Sequence, residues 1–161
     1  MSKENKGITL IGMPGAGKST IGKLLAKEMG FKFVDIDLLI PSIDKRREEE
    51  ILAFEEGYVL ALDCLQTVVA PGGSIVYSKK AMTKLSKETT VIYLKRSFSE
   101  IKKRLANKIE GRGIVWHGCK SLEELFKERR PLYNGFAHYK IDCAGLSDKK
   151  IIRKICASFL K

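Results

Sequence analysis

The chain has 161 residues, 44% of them hydrophobic and 30% charged, which suits one globular domain with a buried core and argues against disorder. With 30 Lys and Arg residues against 19 Asp and Glu, the net charge is +11, an excess that draws anions without specifying which. No apolar run approaches the ~20 residues of a bilayer span, and Ile8–Ile11 is shorter than the ~7–15 apolar residues of a secretory leader, so the expectation is a cytoplasmic protein with no membrane partner.

In chain order, Gly7–Ile11 reads as a first strand running into a glycine-rich turn. Lys18–Met29 places Ile21, Leu24, Leu25 and Met29 on one face and is closed by Gly30, which predicts an amphipathic helix. Phe31–Ile36 predicts a second strand, Val68–Ala70 a third, Val91–Leu94 a fourth and Tyr139–Ile141 a fifth. Helical patterns fill the gaps at about Lys45–Gln66, Ser78–Ser86, Ser97–Ile109, Leu122–Arg130 and Ser147–Leu160. Strands alternating with helices predict right-handed crossovers and an α/β fold of three layers, α/β/α, around a five-stranded parallel sheet. In such sheets ligands bind beyond the carboxyl ends of the strands. The 4 cysteines contain no Cys-x-x-Cys pair and read as reduced thiols, while His117 and His138 lack a partner at metal-ligand spacing.

The turn after the first strand, Gly12-Met13-Pro14-Gly15-Ala16-Gly17-Lys18-Ser19-Thr20, fits G-x-x-x-x-G-K-[ST]. Glycines let successive backbone N–H groups converge on one anion, and the following helix aims its unpaired amides and positive dipole end at the same point. Lys18 supplies charge for the β- and γ-phosphates, and the Ser19 hydroxyl suits Mg²⁺. The pattern predicts binding of a nucleoside triphosphate. Guanine recognition by Asn-Lys-x-Asp after Asp-x-x-Gly is not matched: the chain has Asn107-Lys108-Ile109-Glu110 before Asp142-Cys143-Ala144-Gly145, wrong in residue type and in order.

Val34-Asp35-Ile36-Asp37 reads as the end of the second strand, where alternation would send both aspartates to one side. One carboxylate there suits Mg²⁺; the other suits an acceptor hydroxyl and its proton.

The phosphate loop followed by Phe33-Val34-Asp35-Ile36-Asp37 resembles the shikimate kinase family. Further elements extend the resemblance along the chain. Pro71-Gly72-Gly73-Ser74 stands where the family has a triple glycine, and Arg112-Gly113-Ile114-Val115 resembles the start of its lid. Leu125-Phe126-Lys127-Glu128-Arg129-Arg130-Pro131-Leu132-Tyr133 places an arginine four residues before the tyrosine of Pro-Leu-Tyr. The resemblance implies one P-loop kinase domain over residues 1–161, with an acceptor segment at about 38–66 and a lid at about 110–121.

It also implies an ATP- and Mg²⁺-dependent transfer of phosphate to a hydroxyl of a small carboxylate, shikimate first among them. Gly12, Gly15, Ala16, Gly17, Lys18, Ser19 and Thr20 would cradle the nucleotide, with Arg104 near the adenine and Arg112 closing over the phosphates. Ser19 and Asp35 would serve the metal. Asp37 would contact the acceptor hydroxyls as the base, Gly72 and Gly73 would let backbone approach the acceptor, and Arg129 would grip its carboxylate in the bidentate manner of a guanidinium. Lys18, Asp37 and Arg112 would form the catalytic set. A monomer is implied.

The chain departs from the family in three ways. Gly57-Tyr58-Val59-Leu60-Ala61-Leu62-Asp63 is read as the counterpart of the family's Phe-Arg-x-x-Glu, with Leu60 in the cation's place and Arg46 or Arg47 as a possible substitute. The interval from Asp37 to Gly72 is shortened, and Ser74 replaces the last glycine. Homoserine, threonine and gluconate therefore stand as rival acceptors. A nucleotide-binding module associated with nucleic acid is the rival class; against it, the chain lacks a basic stripe interleaved with aromatics.

Overall fold

A computed structural model describes residues 6–40, 47–109 and 113–159. Five parallel strands, β1 (Gly7–Ile11), β2 (Lys32–Asp35), β3 (Thr67–Ala70), β4 (Thr89–Lys95) and β5 (Tyr139–Asp142), form one sheet in the order β2-β3-β1-β4-β5. The central β1 and β3 are buried along their whole length, whereas the edge strands β2 and β5 are partly open. A parallel sheet needs helices on both faces, so its inner strands read as continuous apolar runs.

The helices are α1 (Lys18–Met29), α2 (Glu48–Ala61), α3 (Lys79–Glu88), α4 (Phe98–Leu105), α5 (Leu122–Phe136) and α6 (Asp148–Phe159). Ser78, Ser97 and Ser121 cap α3, α4 and α5 by accepting a hydrogen bond from a first-turn amide. α1 differs: it starts from Gly17 at φ 99°, with no side-chain cap and no acidic residue in its first turn. Its leading amides are left to an outside anion. None of the helices described is long and apolar enough to cross a membrane.

Three expectations need correction. The second strand ends at Asp35, and Asp37–Leu39 turns into a short 3₁₀ helix after Ile36 adopts helical angles (φ −70°, ψ −32°). Strand alternation therefore places Asp35 but not Asp37. α2 is shorter than the 45–66 span; it ends at Ala61, and the chain reaches β3 through a turn with Gln66 at φ 44°. α5 runs on through Pro131 to Phe136. An interior proline costs about 3 kcal/mol. The fully buried Tyr133 just beyond it offsets that cost: it stacks on Tyr93 with centroids 5.2 Å apart and donates its hydroxyl to the Gly73 carbonyl at 2.7 Å.

Candidate active site

The strand order places the connections after β1, β2 and β3 side by side at the carboxyl edge of the sheet. They enclose a cavity of about 580 Å³ whose lining includes Lys18, Ser19 and Thr20 from α1, Asp35 and Asp37 after β2, Gly72 and Gly73 after β3, and Arg129 from α5. The three groups on which the sequence argument turned, Lys18, Asp37 and Arg129, face one hollow.

The phosphate loop is braced from outside. Arg96, just after β4, donates Nε to the Ala16 carbonyl at 2.9 Å, and Arg104 on α4 donates Nε to the Gly15 carbonyl at 2.6 Å. Holding those carbonyls outward turns the neighbouring amides inward, which is the geometry of an anion nest. Lys18 is buried and donates Nζ to the carbonyls of Gly12 and Met13 at 2.8 and 3.0 Å. Gly12 and Ala16 thus form the wall of the cradle, and Gly15, Gly17, Lys18, Ser19 and Thr20 its lining. Arg104 also lines the cavity, with its Nε committed to the loop.

Asp35 is buried, and its Oδ1 has no hydrogen-bond partner. A bare carboxylate oxygen and the Ser19 hydroxyl lining one cleft at the phosphate loop are hard oxygen donors, a set that fits Mg²⁺. No cluster of three or more His, Cys, Asp or Glu residues suited to a metal occurs among the described residues.

At the far end, Arg129 is 1% exposed. Nε donates to the Tyr77 hydroxyl at 3.3 Å and Nη2 to the Val115 carbonyl at 2.5 Å, both neutral acceptors. A Cβ at Gly73 would lie 2.7 Å from Nη1, so only glycine lets the turn approach the guanidinium this closely. At Gly72 a Cβ would collide with Glu55 Oε1 and lie 2.7 Å from Asp37 Oδ1.

Glu55, not singled out from the sequence, is 1% exposed and lines the same cavity. Its Oε2 accepts from the Ser74 hydroxyl at 2.7 Å. Burial lifts its carboxyl to about 7; the Ser74 bond opposes the rise, Asp37 adds to it, and Arg129 and Lys18 oppose it. The signal was present as a stripe: Ile51, Glu55 and Val59 recur every four residues and form the buried face of α2.

This face overturns the reading of Leu60. Leu60 is 45% exposed and absent from the cavity, which instead receives Ile51 and Glu55. The family pattern Phe-Arg-x-x-Glu therefore falls on Ile51-Leu52-Ala53-Phe54-Glu55. The glutamate is kept as Glu55, and the aliphatic residue in the arginine's place is Leu52, which packs against the Ile40, Ile51 and Val115 cluster. Arg47 is exposed and not part of the lining. Arg46 and Arg112 lie outside the described residues.

Arg96, Glu55 and Tyr77 are site residues that the sequence argument missed. Arg96 was open to discovery by the carboxyl-edge rule, since it directly follows β4. The histidines prove to be structurally engaged. His138 Nδ1 accepts from the Val91 amide at 2.9 Å, and His117 pairs with Glu128. All 4 cysteines are free thiols.

An all-parallel sheet ordered 2-3-1-4-5, with a phosphate loop after its central strand and a cavity beside it, defines a P-loop kinase. The shikimate kinase family model matches residues 14–159, and the chain belongs to the shikimate kinase family. A shikimate kinase from Thermodesulfovibrio yellowstonii is 32% identical, over 96% of this chain and 95% of its own. Shikimate kinase 2 of Yersinia enterocolitica is 35% identical, over 84% of this chain and 85% of its own. Among solved structures, the Acinetobacter baumannii shikimate kinase in complex with shikimate superposes with a TM-score of 0.84 at 26% identity, covering 97% of this chain and 93% of that one.

Proposed function

We propose that this chain transfers the γ-phosphoryl group of ATP to a hydroxyl of shikimate, giving shikimate 3-phosphate and ADP. The observation that carries the reading is the single cavity shared by Lys18, Asp37 and Arg129. In this reading it gathers a phosphate cradle, a base and a carboxylate-binding cation into one cleft, as in-line transfer requires.

The loop amides and the first turn of α1 bind the β- and γ-phosphates. Lys18 leaves the Gly12 and Met13 carbonyls to neutralise charge on the transferring group. Asp37 orients the acceptor hydroxyl and takes its proton as the new P–O bond forms. Arg129, which donates to the neutral oxygens of Tyr77 and Val115, supplies the positive charge for the acceptor carboxylate. Ser19 and Asp35 would hold Mg²⁺, which when bound shields the phosphate oxygens from one another. In this reading residues 38–66 carry the acceptor, 110–121 form the lid, and the protein works as a cytoplasmic monomer.

The test is a product-detecting assay by ³¹P NMR with ATP, Mg²⁺ and a panel of shikimate, homoserine, threonine and gluconate. Shikimate should give the highest kcat/KM. Turnover of another acid with none of shikimate would overturn the acceptor assignment, and salt-sensitive RNA binding without any phosphorylated product would overturn the enzyme itself.

A further inference from the structure

The Val115–Cys119 stretch is fastened at two points. Glu48, in the first turn of α2, accepts the Trp116 amide at 2.7 Å and the His117 amide at 3.0 Å, one on each carboxylate oxygen. Glu128 on α5 bonds His117 Nδ1 at 2.6 Å and accepts from Cys119 Sγ at 2.8 Å. The Cys119 bond, and behind it those of His117 and Tyr77, hold the Glu128 carboxyl below the usual carboxylate range, so it stays an acceptor.

Between these fasteners His117 adopts φ 52°, a left-handed conformation uncommon outside glycine, for which His, like Asn and Asp, is among the better-suited residues. That backbone lays the imidazole flat on Tyr77, with centroids 4.0 Å apart and ring planes within 20°. The same Tyr77 ring lies 5.2 Å from Arg129 Cζ, and its hydroxyl accepts from Arg129 Nε. Val115, two residues before His117, takes Arg129 Nη2. The direction of the guanidinium is thus set by a tyrosine whose outer face is covered by one imidazole.

We propose that His117 is a positioning residue for the phosphoryl acceptor: clamped by Glu128 and stacked on Tyr77, it fixes the angle at which Arg129 meets the acceptor carboxylate. Without the imidazole, Tyr77 is held only through its hydroxyl, by Glu128 and Arg129, its ring is free to tilt, and Arg129 loses the fixed direction of its partner at Nε. A guanidinium then has to be oriented at the moment of binding, which weakens the acceptor complex and leaves the nucleotide end untouched. The inference rests on Arg129 as the carboxylate ligand of the proposed reaction.

The test uses His117→Asn, which tolerates the left-handed backbone but removes the ring; His117→Phe, which keeps the stack; and Tyr77→Phe, which keeps the stack and removes the hydroxyl. With ATP and shikimate, His117→Asn and Tyr77→Phe should raise the acceptor KM about tenfold while the ATP KM stays within about twofold, and His117→Phe should restore most of the loss. With the carboxamide of shikimate, wild type and His117→Asn should converge, because no carboxylate is left to be met. An equal loss on both acceptors, or a matching rise in the ATP KM, would overturn the proposal. A second readout needs no acceptor: the Arg129 Nε–H resonance, assigned through Arg129→Lys, should exchange with solvent faster in His117→Asn than in wild type. An unchanged exchange rate also overturns it. If wild type leaves shikimate unphosphorylated while that exchange still responds to His117, the choice of acceptor fails and the positioning of Arg129 stands.

Discussion

Tyr133 donates its hydroxyl to the Gly73 carbonyl at 2.7 Å and lies one helical turn beyond Arg129, so a single face of α5 grips the glycine turn by its backbone and lines the cavity beside it. Tyr133→Phe removes that buried hydrogen bond and leaves the carbonyl only its bond within the 3₁₀ turn, at a cost of about 0.5–1.5 kcal/mol. Urea denaturation should register the loss, and the acceptor KM should rise in the same variant, since the turn that Arg129 faces is no longer fixed.

Lys18→Ala should abolish product formation, because the γ-phosphoryl group loses the cation that follows its charge into the transition state. Asp37→Asn should lower kcat by about 10²–10⁴, the range of a lost general base. Nucleotide affinity measured by calorimetry should be retained in Asp37→Asn, as that side chain sits on the acceptor side. Full turnover in either variant would remove the assigned role.

Glu55 sets a pH dependence whose sign follows from its raised pKa. The unfolded chain ionises it near 4.5 and the folded chain near 7. The stability it contributes is therefore complete below 4.5, declines as pH rises from 4.5 to 7, and is absent above. Glu55→Gln stays neutral throughout. The difference between variant and wild type should move in the variant's favour by on the order of 3 kcal/mol between about pH 4 and pH 8. Denaturant midpoints at the two pH values check this, and a pH-independent difference would contradict it.

Gly72→Ala forces a methyl group onto the Glu55 carboxylate and against Asp37. Overpacking at a buried site costs about 1–3 kcal/mol. Because both displaced groups line the pocket, the acceptor KM should suffer more than the ATP KM, which steady-state kinetics separates.

Leu52→Arg tests the corrected alignment of α2. A second guanidinium at the acceptor end should lower the KM for a carboxylate acceptor by about tenfold, the worth of one added charge-assisted bond. Leu60→Arg, on the exposed side of the same helix, should leave it unchanged.

The donor half was readable from sequence because its chemistry is contiguous: the loop, its lysine and the helix behind it occupy Gly12–Thr20 without interruption. Strand positions were readable for a similar reason, since buried parallel strands are short apolar runs. The acceptor half is assembled from α2, the turn after β3 and α5, and no local spacing ties Glu55 to Gly72 or Tyr77 to Arg129. Leu60 misled because it lies in an apolar stretch where only the phase of the helix separates the inward face from the outward one. Asp37 was placed correctly for an incorrect reason: a 3₁₀ turn, not strand alternation, brings it into the cleft. Pro131 read as a stop because the contacts that keep the helix going, Tyr133 with Gly73 and Tyr93, come from distant parts of the chain.

The two guanidiniums that hold the phosphate loop, Arg96 on Ala16 and Arg104 on Gly15, carry a consequence for how a nucleotide is received. Their grip settles the backbone dipoles during folding, so an arriving triphosphate finds a finished socket in which the ammonium of Lys18 only trades carbonyl oxygens for phosphoryl ones. Docking should accordingly be quick and should release little motion, and the entropy spent on rigidity has already been lost once, when the chain first folded.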